Sequence, residues 1–89
     1  MIKTVRVPYH LCGDDRQALF AVQPGIPITE ALDSAHSLLD VAETLVLHGN
    51  GAKGPRQAQL NHACHFLISA AKATLQACIE GEGPSEEAA

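Results

Sequence analysis

Apolar residues at Ile28, Leu32, Ala35, Leu39, Ala42 and Val46 recur at alternating steps of four and three, the spacing that puts side chains on one face of an α-helix. Ala31, Leu38 and Leu45 widen that stripe to an arc of about 140°, at about 100° of rotation per residue, while Asp33, Ser37, Asp40 and Thr44 face away. The spacing predicts a helix from Thr29 to about His48 with one side buried. Thr29 is placed to cap it, Glu30 and Asp33 suit the positive end of its dipole, and Gly49-Asn50-Gly51 ends it.

A second periodic stretch opens at Gly54-Pro55, where proline fits the first helical position, and runs to Glu80, with Gly81 as the residue just past its end. Its seam is Leu60, Cys64, Leu67, Ala71, Thr74 or Leu75, and Cys78. Ala63, Phe66, Ile68, Ala70, Ala77 and Ile79 spread the apolar arc beyond about 200°. One antiparallel neighbour, reached through a short connector, cannot cover so broad a face. The expected fold is mainly α: an antiparallel two-helix hairpin over residues 29–80, a short extended or β segment over residues 1–28, and a disordered acidic tail over residues 81–89. Two hairpins are expected to pair as a homodimeric four-helix bundle. Leu60, Cys64, Leu67, Ala71, Leu75 and Cys78 would lie at the dimer interface, with Leu32, Leu39, Ala42 and Val46 facing them from the first helix.

The amino-terminal segment reads differently. Extended-type runs at Thr4 to Val7 and Ala18 to Val22 flank the turn-forming Gly13-Asp14-Asp15. Gln23-Pro24-Gly25-Ile26 fits a type II turn, with Gly25 supplying the positive φ, and Pro27 keeps Ile26 extended.

Composition narrows the function classes. With 89 residues there is room for one domain, and with 3% aromatic residues its core must come from Ala, Leu, Val and Ile. No unbroken apolar run reaches the length of a membrane span. Lys3, Arg6, Arg16, Lys53, Arg56 and Lys72 are scattered singly in a chain of net charge -4, so no cationic stripe exists for a nucleic acid. No apolar leader follows Met1, and the three cysteines suit free thiols, so the cytoplasm is the expected compartment. Cys64 and Cys78, fourteen positions apart on one helix, would sit about 21 Å apart, beyond disulfide reach.

The segment Leu19 to Leu32 carries a Phe-x-Val-x-Pro-Gly-Ile-Pro lead-in, and Glu30-Ala31-Leu32 then starts the first helix. With His65-Phe66-Leu67 and Ala70-Ala71-Lys72-Ala73 in the second helix, it resembles short bacterial proteins, common in pseudomonads, classed as domain of unknown function 3077. The resemblance runs from Leu19 to Ile79. It implies a two-helix domain and transfers no activity, substrate or catalytic residue.

Candidate chemistry centres on His62-Ala63-Cys64-His65, since imidazole and thiolate both bind zinc. The rotation count turns His62 and His65, with Asn61, Ser69, Lys72 and Gln76, to the polar side and Cys64 into the seam. His10 and Cys12 are the further candidate ligands, and Cys12 is the thiol expected to be accessible. His48 suits the carbonyl end of the first helix. The glycines at 49 and 54 mimic a phosphate loop, but Pro55-Arg56 stand where that motif needs Lys and then Ser or Thr, and a helix precedes it. No catalytic residue or cofactor is assigned. The sequence favours a non-enzymatic interaction or regulatory module, with the Phe20–Val22 segment or an exposed helix surface engaging another protein; the alternative is a small metal- or thiol-dependent protein using His10, Cys12, His62 and His65.

Overall fold

The computed structural model describes residues 2–49, 51 and 53–81, arranged as β1 (Val7–Cys12), β2 (Gln17–Val22), α1 (Ile28–Gly49) and α2 (Gly54–Gly81). Residues 82–89, which hold nearly all of the acidic tail, lie outside the described residues. The two strands pair antiparallel, from Val7 opposite Val22 to Cys12 opposite Gln17. Their turn closes with the Arg16 N–H donating to the Gly13 carbonyl at 3.2 Å, and Gly13 takes the positive φ of 73° that glycine tolerates.

The first strand lies at Val7–Cys12 instead of Thr4–Val7, because the backbone of residues 2–5 is committed elsewhere. Thr4, which is buried, exchanges backbone hydrogen bonds with the Pro24-Gly25 turn: its N–H donates to the Ile26 carbonyl at 2.8 Å, and its carbonyl accepts from Gly25 at 3.0 Å. Its hydroxyl enters the turn itself, donating to the Gln23 carbonyl at 2.8 Å and accepting from the Ile26 N–H at 3.0 Å. The side chain thus relays the bond that a type II turn makes directly between its first and fourth residues. Gly25, at φ 86°, supplies the left-handed conformation that the turn requires. On either side, Ile28 N–H donates to the Ile2 carbonyl at 3.2 Å and Val5 N–H to the Ala77 carbonyl at 3.3 Å. Residues 2–5 are a strap across the turn, the start of α1 and the end of α2.

Helix α1 starts one residue earlier than the periodicity predicts, with the Ala31 N–H donating to the Pro27 carbonyl at 3.1 Å. Thr29 is therefore inside the first turn and is not its cap. Gly81 belongs to α2 and is buried. It is glycine because a Cβ there would land on the Lys3 carbonyl oxygen, and its φ is not left-handed.

Helix α2 is the middle member, with α1 on one side and the β-hairpin on the other. Leu60 packs against Gly49, and the Cys64 thiol lies 3.7 Å from the Ala42 carbonyl; both mark the α1 side. Turned away from that side, Ala73 and Ala77 meet Val7 in a small core, with Val5, Tyr9 and Val22 packed against it. The broad apolar arc of α2 is thus covered in part by the chain's own hairpin and strap, a second cover that the periodicity assigned to another molecule. Ala71 is 0% and Cys78 2% exposed within one chain, so these two residues of the expected interface offer no surface to a second copy. Leu60, Cys64, Leu67 and Leu75 are half-buried.

The described chain is thin, its Cα trace measuring 53 by 32 by 13 Å. Large apolar side chains remain bare: Leu32, Leu39, Val46, Ile68 and Ile79 are between 41% and 71% exposed. No helix among the described residues is long and apolar enough to cross a membrane.

Candidate functional site

In strand β1 a regular pleat would turn His10 away from the face that Tyr9 shows α2. Its φ of 62° breaks the alternation, and the ring comes back to lie 5.5 Å from Phe20 and 5.4 Å from Phe66. Tyr9 sits 5.9 Å from Phe20 and 6.2 Å from Phe66, and the two phenylalanines meet edge to face at 5.5 Å. The only tyrosine and both phenylalanines of the chain therefore form one cluster with His10, and it ties the hairpin to α2.

Beside this cluster a groove of about 500 Å³ runs between β1 and α2. The strand side contributes Tyr9, His10 and Leu11, and the turn contributes Arg16. The helix side contributes His65, Ser69, Lys72 and Gln76 at steps of four, three and four, so the polar stripe that reads as a solvent face is one wall of the groove. Among the described residues no carboxylate lines it, although the chain has ten Asp and Glu residues against six Lys and Arg. Asp14 and Asp15 precede Arg16 in the turn, and Gln76 donates its amide to Glu80 at 2.6 Å.

Of the four candidate metal ligands, the groove brings together only His10 and His65. His62 lines a separate depression with Ala58, Asn61 and His65, and the Cys12 thiol, at the exposed end of the hairpin, lies 3.5 Å from the Gln17 carbonyl. Among the described residues no three His, Cys, Asp or Glu side chains converge to hold a metal ion. The physical reason is placement: His62 and His65 share a helix face, but Cys12 is carried to the hairpin tip. Cys12 is exposed, as its place before Gly13 suggests, and no disulfide joins the cysteines. His48 does lie in the last turn of α1.

Sequence reasoning missed Tyr9, Phe20 and Phe66 as one unit, and missed Arg16 and Lys72 as neighbours of His10 and His65. The signal for the helical wall was present in the His65, Ser69, Lys72, Gln76 spacing. The strand wall had none, because it depends on the left-handed turn at His10.

A second surface lies next to the groove. Leu32, Leu39 and Val46 are seven residues apart on α1, and Ile68, Leu75 and Ile79 share one side of α2. Val46 and Ile68 line the same depression, so in this antiparallel pair the two rows form one apolar face. His65 lines both that depression and the groove.

These features define the class: a two-stranded hairpin and two long helices set side by side, closed by an amino-terminal strap. The chain matches the model of the family described as "Protein of unknown function (DUF3077)" over residues 4–81, and it belongs to that family. The match takes in both strands and both helices, and it begins and ends at Thr4 and Gly81, whose backbones adjoin. No curated protein and no solved structure matches the chain.

Proposed function

We propose that this protein is an interaction module that works as a homodimer, the second copy lying across the face formed by Leu32, Leu39, Val46, Ile68 and Ile79. The observation that carries the reading is that face itself: five large apolar side chains, each at least 41% exposed, on a body whose Cα trace is 13 Å deep. Scattered apolar residues are ordinary on a surface, but contiguous rows on adjoining helices mark association sites. A second copy is the occupant that fits. Leu39 sits midway between Leu32 and Val46, so the row is self-complementary about its centre, as a two-fold interface requires. Stacking two such bodies gives four helices in two layers, the arrangement that a single chain of this thickness lacks.

Light scattering during gel filtration tests the reading. At about 50 µM the protein should elute at twice its chain mass of 9.4 kDa, and Leu39→Glu should return it to one chain mass while leaving its helical circular dichroism intact. A single-chain mass for the unaltered protein at that concentration would overturn the proposal. No observation favours the metal- or thiol-dependent reading.

A further inference from the structure

We infer that the groove between β1 and α2 binds a small organic phosphate. The inference goes beyond the dimer and does not depend on it. Its first support is charge. Arg16 and Lys72 face the same groove as His10 and His65, and among the described residues neither cation has an ion-pair partner, in a chain of net charge -4. Although Asp14 and Asp15 precede Arg16 in the turn, neither pairs with it, and an anion in the groove would neutralise cations that the described residues leave unpaired. A guanidinium fork, an ammonium and two imidazoles suit a ligand with several acceptor oxygens and up to two negative charges, which is a phosphate monoester.

The second support is backbone conformation. Among the described residues, His10 and Arg16 are the two non-glycine residues with positive φ, at 62° and 55°, and both line this groove. Such conformations are unfavourable for side chains with a Cβ, and they gather where a site needs a side chain in a particular place. A loop built for stability alone would carry glycine at position 16, as it does at Gly13. The third support is size and lining. The groove falls in the range that holds small ligands, and Tyr9 and Leu11 give it an apolar wall for the organic part.

The test uses the full chain labelled with nitrogen-15 and titrated with phenyl phosphate, with benzoate and potassium chloride at matched ionic strength as comparisons. Saturable amide shifts are expected at Tyr9, His10, Arg16, His65 and Lys72, with half-saturation at about 1 mM or below. Lys72→Ala and Arg16→Gly should each weaken binding about tenfold or more, while Lys53→Ala, in the interhelical connector, leaves it unchanged. Arg16→Gly should melt no lower than the unaltered protein, which separates loss of ligand from loss of fold. Leu39→Glu should bind as the unaltered protein does, so failure of the dimer and failure of the site are distinguishable. Shifts that stay linear to about 20 mM, that benzoate or chloride reproduces, or that survive both groove substitutions would overturn the inference.

Discussion

The Thr4 hydroxyl gives the fold its most exacting test. Thr4→Val keeps the shape of the side chain and removes both of its turn bonds, at 2.8 Å to the Gln23 carbonyl and 3.0 Å from the Ile26 N–H. The methyl that replaces the hydroxyl stands between the two backbone groups and cannot bond to either. Each lost bond is worth about 1 kcal/mol, so the substitution should cost about 2 kcal/mol. Against a total stability on the order of 5–10 kcal/mol for a chain of this length, that is a large fraction. Urea denaturation followed by circular dichroism, at one fixed protein concentration, should show the midpoint falling by about 1 M with an unchanged slope. The melting temperature should fall by about 10 °C. Thr4→Ser keeps the hydroxyl and loses only a methyl, so it should retain most of the difference. If Thr4→Val unfolds within about 0.5 kcal/mol of the unaltered protein, the hydroxyl relay is not what holds the turn.

Three other outcomes follow from the packing. Gly81→Ala should lower stability by about 1–2 kcal/mol even though alanine favours a helix by about 1 kcal/mol, because its Cβ displaces the Lys3 carbonyl; hydrogen exchange should locate the loss at Val5. Phe66→Ala should cost about 2 kcal/mol, since Phe66 is half-buried and meets Tyr9, His10 and Phe20, and the Tyr9 fluorescence should shift with it. A thiol reagent should modify Cys12 first in the native protein and reach Cys78 only on unfolding, as mass spectrometry of the peptides would show.

Both helices were legible from the sequence because each must bury a face, and burial imposes the steps of three and four that run from Ile28 to Val46 and from Leu60 to Cys78. The Pro24-Gly25 turn was legible because few residues other than glycine tolerate its geometry. The hairpin register and the strap were not. Thr4 to Val7 looks like a strand from its composition, yet Thr4 and Val5 spend their backbone bonds on Gly25, Ile26 and Ala77, partners about twenty and seventy residues away that no local pattern announces. The same distance explains the second cover on α2. The width of its apolar arc was readable, whereas the identity of what covers Ala73 and Ala77 was settled by the return of residues 5–9 to the far end of the chain. The candidate site was half legible for a like reason, its helical wall being periodic and its strand wall resting on one unusual φ at His10.

The adjacency of Lys3 and Gly81 also bears on how this polypeptide can be re-engineered. Since those backbones touch, a few residues of linker would join them, and the ring so formed could be reopened between α1 and α2, at the exposed Gly51. Such a permuted molecule would place α2 first and α1 last in the order of synthesis while keeping the contacts described above, so the native order is one of several ways of cutting the same closed ribbon.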